Sequence, residues 1–315
     1  MKLLFMGTPE FALFSLARIL ESSHLVTGVV TRPDRPQGRG LKVSPSPVKK
    51  LALEKKIPVL QPFRLPDPEL TDFLKQTRPE AVVVVAYGLK IPTVLLEYPL
   101  YGCINLHASL LPKYRGAAPI QAALINGDSI TGVTTIKMDE GWDTGGILLS
   151  REVTVGEWEN AGSLHDRLAG EGAELLVETL TRLEKGEVAP VPQEKGPATY
   201  APKLDEEDFV LDWSASTRDL CNRIRALDPW PGARTRMGKK TLKVWAARPA
   251  RLRPDLAHVE PGTTGEFRKG EDKGLPVRTG DGVIVLTELQ LSGKRRLSAI
   301  RFLAGRPVPP GTVLG

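Results

Sequence analysis

The six residues Ala81-Val82-Val83-Val84-Val85-Ala86 form an unbroken apolar run, with β-branched valines at its four central positions. A strand with one wet face alternates apolar and polar residues. A continuous run fits a strand covered on both faces, as in the middle of a parallel sheet. Outward from it, strand-like and helix-like stretches alternate. Residues 2–6, 24–31 and 58–60 read as strands, and 9–20, 46–56 and 66–76 carry helical spacing. Thr8 is the expected N-cap of the first helix, with Pro9 at its first position. Further on, 102–106, 132–138 and 147–153 read as strands, 120–125 as a short helix and 163–185 as a long amphipathic one. This βαβ alternation predicts an α/β fold with a Rossmann-like, doubly wound parallel sheet.

The chain has 315 residues, enough for two cores. Residues 187–208 are rich in Pro and charge and read as a linker. That divides the chain into domains 1–186 and 209–315. In the second, a helical stretch is followed by short β-rich runs between Gly and Pro turns. The pattern suggests a small barrel, and periodicity alone leaves a sandwich open.

Hydrophobic content is 41% and charged content 25%, ordinary values for a globular protein. No stretch approaches the roughly 18 apolar residues that span a bilayer, so no membrane partner is expected. The start runs from Leu3–Met6 straight into Gly7-Thr8-Pro9-Glu10, a buried strand and not a signal peptide. Cys103 and Cys221 fall in different domains, which fits a reducing cytoplasm. A monomer is expected.

Charge is uneven. Residues 1–200 hold 22 Lys+Arg against 23 Asp+Glu, whereas 209–315 hold 20 against 10. An asymmetry of this size points to a polyanionic partner, the plain alternative being a solubilising surface. Residues 32–56 form a second basic region, with eight Lys+Arg against two Asp+Glu. It includes Arg35, Arg39 and Lys42, and its 33–40 stretch is irregular by composition. It follows the second strand, where a long loop in a compact domain is usually functional.

The chemistry-bearing stretch is Asn105-Leu106-His107-Ala108-Ser109-Leu110-Leu111-Pro112. In an extended chain Asn105 and His107 point to the same side. Together they can donate to one developing oxyanion, and the imidazole can also move a proton. Asp143, 36 residues beyond His107, could orient or polarise that imidazole. Gly141 before it and Thr144-Gly145-Gly146 after it form a turn able to aim one carboxylate inward. An Asn, His and Asp set without a Ser or Cys nucleophile reads as acyl transfer with no covalent intermediate. Ligands of open α/β sheets sit beyond the carboxyl ends of strands. His107, Asp143 and the Tyr87-Gly88-Leu89 turn are all expected on that one edge. Gly7-Thr8-Pro9-Glu10 lacks the Gly-x-Gly-x-x-Gly fingerprint, and Pro9 has no N–H to offer a phosphate, so no nicotinamide cofactor is expected. No His/Cys cluster has zinc-like spacing, and no metal is expected.

The order Asn-x-His-x-Ser-Leu-Leu-Pro-x-x-Arg-Gly, then Asp-x-Gly-x-Asp-Thr-Gly, resembles the folate-dependent formyltransferases. The resemblance runs from Phe5-Met6-Gly7-Thr8-Pro9-Glu10-Phe11 to the C-terminal region, and is strongest to members that act on methionyl initiator tRNA. It implies transfer of a formyl group from 10-formyltetrahydrofolate to the α-amino group of methionine on that tRNA, in support of translation initiation. It implies Asn105, His107 and Asp143 as catalytic residues. Ser109, Leu110, Leu111 and Pro112 would contact the folate, and Tyr87, Gly88, Leu89 and Ile91 would close over its pterin. Arg35, Arg39 and Lys42 would contact tRNA, Arg39 matching the key arginine of a loop that enters the acceptor stem. Residues 209–315 would form an OB-like β-barrel. The alternative is a formyltransferase acting on a sugar-nucleotide amine; the Arg-rich loop and the basic second domain speak against it.

Overall fold

The computed structural model describes residues 1–37, 42–194, 196, 198–270 and 273–315. They divide into two compact units. The first comprises Met1–Pro119, Ile130–Thr154 and His165–Ala201; the second comprises Ile120–Ser129, Val155–Leu164 and Pro202–Gly315.

In chain order the first 186 residues form β1 (Lys2–Gly7), α1 (Glu10–Leu20), β2 (Leu25–Val30), β3 (Arg35–Gln37), β4 (Lys42–Ser44), α2 (Pro47–Glu54), β5 (Val59–Leu60), α3 (Pro68–Thr77), β6 (Ala81–Val85) and α4 (Thr93–Glu97). They continue with β7 (Cys103–His107), α5 (Pro119–Ile125), β8 (Ile130–Lys137), β9 (Gly146–Thr154) and α6 (Ala161–Glu184). Seven strands make one sheet in the order β5-β2-β1-β6-β7-β8-β9. The valine run is its middle strand β6, and all five of its residues are buried.

The expected all-parallel sheet needs correction. β5, β2, β1, β6 and β7 are parallel, but β8 runs antiparallel to β7, and β9 antiparallel to β8. Only eight residues separate β8 from β9. That is too short for a crossover to a parallel neighbour, so the chain returns as a hairpin. The sheet is mixed.

Thr8 does not cap α1, whose N-cap is Pro9 with no side-chain bond. The Thr8 hydroxyl instead accepts from the backbone N–H of Arg32 at 3.2 Å and ties β1 to the end of β2. Ser46 caps α2 by accepting from Lys49 N at 3.1 Å, and Asp67 caps α3 through Leu70 N at 3.1 Å. The 33–40 stretch, read as irregular, contributes β3, which pairs antiparallel with β4 (Arg35↔Ser44, Gln37↔Lys42). Arg39 lies outside the described residues, as does the side chain of Lys42.

The second unit continues with α7 (Thr217–Ala226), β10 (Ala233–Met237), β11 (Lys240–Ala250), β12 (Leu275–Arg278), β13 (Val283–Leu291), β14 (Leu297–Ser298) and α8 (Ala299–Gly305). Its strands form an antiparallel sheet in the order β10-β11-β13-β12, with β14 against β13. Trp213, Leu220, Ile224, Val244, Ile284 and Phe302 are among the side chains of its core. Asp228 is buried there and holds Arg296, while Asn160 Nδ2 donates to its other oxygen at 2.6 Å.

Much of 187–208, read as a linker, is pinned to the first unit. Isolated bridges join Ile147 to Val191 and Arg115 to Tyr200. No helix among the described residues is long and apolar enough to cross a membrane.

Candidate active site

β7 carries Asn105 and His107 on one face, two residues apart, and both are buried. Leu106, between them, faces the other way against α6. A Cβ on Gly172 of that helix would come within 2.8 Å of the Leu106 side chain, so glycine there lets helix and strand approach. His107 is the last residue of β7, not a residue beyond it.

Asp143 does not arrive by the carboxyl-edge route. Because β8 is antiparallel, its end at Lys137 lies beside Ile104, near the start of β7. The connection from Met138 to Gly145 then carries the carboxylate back, and its Oδ1 stops 3.6 Å from His107 Nδ1. The other oxygen, Oδ2, accepts from the backbone N–H of Gly116 at 2.8 Å. Asp143 sits in the left-handed region at φ 54°, a conformation in which Asp is among the better-tolerated non-glycine residues.

The second imidazole nitrogen is also engaged. His107 Nε2 lies 2.9 Å from the carbonyl oxygen of Tyr114. Tyr114 is itself at φ 61°, unusual for a bulky side chain and a strain of about 1–3 kcal/mol that its surroundings must offset. Its N–H donates to Thr199 Oγ1 at 2.9 Å, and the N–H of Arg115 donates to Thr199 O at 2.8 Å. Gly116, at φ 115°, passes so close to the chain that a Cβ would meet Ala201 O at 2.6 Å. Gln193 completes the enclosure. Its Oε1 accepts from Arg115 Nε at 3.1 Å and Nη2 at 2.7 Å, and its Nε2 donates to the carbonyls of Asp143 and Gly145, both at 2.8 Å.

Tyr114, Arg115, Gly116, Gln193 and Thr199 lie outside the set of site residues expected from the sequence. The Arg-Gly pair of the motif points to two of them. Nothing in the Pro-rich composition around Gln193 and Thr199 marks those two.

Of the residues expected to meet folate, Ser109 is fully buried, and its hydroxyl donates to Lys113 O at 2.6 Å. Leu111 is buried and its N–H donates to Thr134 Oγ1 at 3.2 Å, while Leu110 and Pro112 are partly exposed. Tyr87 and Ile91 belong to the core cluster that also holds Leu4 and Met6, with Leu89 packed against it. Gly88 is exposed at φ 78°, with open space where a Cβ would stand.

Beside these residues a cleft of about 330 Å³ opens beyond β1, β2 and β6, lined among others by Thr8, Arg32, Arg35, Ser46, Tyr87 and Gly88. The buried Tyr87 hydroxyl makes no well-formed hydrogen bond among the described residues, the Arg32 guanidinium offering it only a loose one. Burial pushes its pKa up, while the Arg32 charge pulls the other way. At the root of the β3–β4 hairpin, Lys49 Nζ donates to Asp34 Oδ2 at 2.7 Å and to Gln61 Oε1 at 2.6 Å, and Gln61 Nε2 donates to Asp34 Oδ1 at 2.8 Å. Arg35 is exposed on that hairpin.

Residues 1–180 match the family described as Formyl transferase, and residues 203–307 match the Formyl transferase C-terminal domain. A methionyl-tRNA formyltransferase from Pelotomaculum thermopropionicum is 50% identical over 315 residues, covering 100% of this chain and 99% of that one. The one from Geobacter sulfurreducens is 46% identical over 315 residues, covering 100% and 97%. Among solved structures, the N-formyltransferase of Helicobacter canadensis, in complex with folinic acid and dTDP-3-aminofucose, matches with a TM-score of 0.67 at 19% identity over 91% of this chain and 98% of that one. HypX from Aquifex aeolicus, in complex with tetrahydrofolic acid, matches with a TM-score of 0.63 at 20% identity. That match covers 97% of this chain and 48% of HypX, so the chain spans about half of HypX's length. At such identities these structures speak to the fold.

Proposed function

This chain belongs to the formyl transferase family and, within it, to the methionyl-tRNA formyltransferases, and from that premise we infer that it transfers a formyl group to the α-amino group of methionyl initiator tRNA. The observation that carries the reading is the His107–Asp143 pair beside Asn105, set in a chain that aligns with such enzymes from end to end. The work belongs to the cytoplasm, where translation begins.

The donor in this reading is 10-formyltetrahydrofolate, which supplies the formyl carbon. The site fits a flat, polar heterocycle on two counts. Gly88 offers open main chain, and the buried Tyr87 hydroxyl makes no well-formed hydrogen bond among the described residues, only a loose one with Arg32. Gly88 and Leu89 would present backbone groups to the pterin, with Leu110 and Pro112 supplying apolar contact. Ser109, Leu111, Tyr87 and Ile91 would act mainly by shaping this wall, since their side chains are buried.

Asn105 would donate to the oxygen that gains negative charge as the amine attacks the formyl carbon, joined by His107 once its imidazole has taken up the amine's proton. Such donors typically contribute a few kcal/mol each in a site that excludes water. Asp143 would hold the imidazole and stabilise it while it carries the amine's proton towards the leaving nitrogen. Arg35, Arg39 and Lys42 would guide the acceptor stem, and the basic second unit would hold the tRNA body. We read that unit as a small OB-like barrel. The reading rests on the bridges Thr264↔Val277, Thr263↔Val313 and Met237↔Leu314, which run on from β12 to β10.

The test is a formyl-transfer assay with 10-formyltetrahydrofolate that offers methionyl initiator tRNA and sugar-nucleotide amines side by side. Efficient transfer to the tRNA alone is expected. Transfer to a sugar-nucleotide amine but not to tRNA would overturn the reading.

A further inference from the structure

The catalytic pair is held from a segment outside its motif, and the manner of holding decides which imidazole nitrogen is free to react. The Tyr114 carbonyl and the Asp143 carboxylate both only accept, but the carbonyl at 2.9 Å is within hydrogen-bond reach and the carboxylate at 3.6 Å is not, so the geometry puts the hydrogen on the nitrogen facing Tyr114. That nitrogen is Nε2. In the neutral ring Nδ1 is then bare, and it is the nitrogen that faces Asp143 Oδ1.

Two side chains from 193–199 keep this arrangement in place. Thr199 receives the N–H of Tyr114 on its hydroxyl and the N–H of Arg115 on its carbonyl, while its own N–H donates to Pro112 O at 3.3 Å. It therefore pins both sides of the left-handed Tyr114 peptide that offers its carbonyl to His107. Gln193 does the same for Asp143. Its Nε2 bonds the carbonyls of Asp143 and Gly145 on either side of the left-handed turn, and the Arg115 guanidinium on Oε1 fixes which end of the amide points there.

We propose that Thr199 and Gln193 are positioning residues for the formyl transfer, holding His107 as its Nε2–H tautomer so that Nδ1, facing Asp143, is the nitrogen that carries the proton. This rests on the formyl-transfer reading above. As the new C–N bond forms, the N–H proton of the attacking amine passes to Nδ1. As the old C–N bond breaks, the same proton leaves Nδ1 for the departing nitrogen. The imidazole ends as it began, and its transient charge lies 3.6 Å from a carboxylate. Neither positioning residue touches the reacting atoms; each acts through a backbone group.

The experiment uses the full chain. Nitrogen-15 spectra of His107 report the tautomer directly and need no variant; the Nε2–H pattern is expected at neutral pH. Thr199→Val keeps the side-chain shape but loses the acceptor, and Thr199→Ser keeps the acceptor. Gln193→Glu keeps the acceptor for Arg115 but replaces the donor to Asp143 and Gly145. Thr199→Val and Gln193→Glu should each lower kcat roughly tenfold to a hundredfold, the scale of small misplacements of reacting groups, with KM for both substrates little changed. Thr199→Ser should restore kcat, and the His107 signals of Thr199→Val should average between tautomers. A bare Nε2 in the wild type overturns the proposal, as does wild-type kcat in folded Thr199→Val and Gln193→Glu. A wild type that shows the Nε2–H pattern yet formylates no methionyl-tRNA overturns the substrate reading while supporting the tautomer assignment.

Discussion

His107 Nδ1 and Asp143 Oδ1 lie 3.6 Å apart, although His107 ends a strand and Asp143 follows its antiparallel neighbour. The pair exists because an eight-residue connection doubles back along the sheet. If the pair tightens as charge develops on the imidazole, its removal should appear in turnover. His107→Ala, Asp143→Ala and Asn105→Ala should each reduce kcat about a hundredfold or more while changing KM far less. Steady-state formylation of methionyl-tRNA measures both. Near-wild-type turnover in the His107 or the Asp143 variant would remove them from the mechanism.

The root of the β3–β4 hairpin should be sensitive to acid. The Lys49 ammonium, and after it the Gln61 amide, hold the Asp34 carboxyl below its ordinary value of 3.8. A carboxyl with a depressed folded pKa contributes stability that is complete above the unfolded value and fades as pH falls through the folded one. Asp34→Asn should therefore be less stable than the wild type at pH 7, by no more than about 1 kcal/mol for a partly exposed pair. The gap should close as pH falls through the depressed folded value. Thermal melts across that range check the sign, and a gap that widens in acid contradicts it.

Arg39 offers the sharpest separation of tRNA from small-molecule acceptors. Its guanidinium can bond base edges or phosphates and stack on an exposed base, which lysine matches poorly. Arg39→Ala should melt within about 0.5 kcal/mol of the wild type, because in this reading the side chain serves tRNA and not the core. It should bind folate normally and formylate charged initiator tRNA much more slowly. A wild-type rate on tRNA would make the loop a bystander.

Neutralisation of phosphates should show in the salt dependence of tRNA binding. Lys239 and Lys240 are exposed at the β10–β11 turn of the basic second unit, and Arg236 is exposed just before it. Replacing all three with glutamine should flatten the plot of log affinity against log salt, by about 0.7–0.9 for each phosphate no longer neutralised. Folate affinity should not move. An unchanged slope would mark this turn as merely solubilising.

Within the second unit, Arg296 satisfies the buried carboxylate of Asp228. Arg296→Met would leave that charge buried with only Asn160 as a side-chain partner among the described residues. It should destabilise the protein by about 2–3 kcal/mol, less than the usual cost of breaking a fully buried pair because the arginine is partly exposed. Pairing it with Asp228→Asn should recover part of the deficit. Denaturant melts of the single and double variants measure the recovery, and its absence would show that the pair is not coupled.

The valine run at 81–85 disclosed its place because a strand covered on both faces needs no polar residue. Asn105 and His107 were legible because a period of two puts them on one face. The direction of β8 and β9 was legible in principle, since the eight residues between them leave no room for a crossover helix. The five-residue α4 was missed because one turn and a half after Pro92 carries no periodicity. Gln193 and Thr199 escaped for a different reason. Their role exists only through backbone groups that tertiary folding brings to them, and a Pro-rich stretch disguises them as connection.

The attachment of Gln193 and Thr199 to the site also bears on the order of synthesis. A nascent chain that has just released Asp143 from the ribosome already contains all three residues of the proposed catalytic set, Asn105, His107 and Asp143. It still lacks the amide that holds Asp143 and the hydroxyl that holds Tyr114, which are made fifty or more residues later. The recognisable chemistry is translated before its fastening, so half-made chains should be catalytically silent however well their sheet has formed.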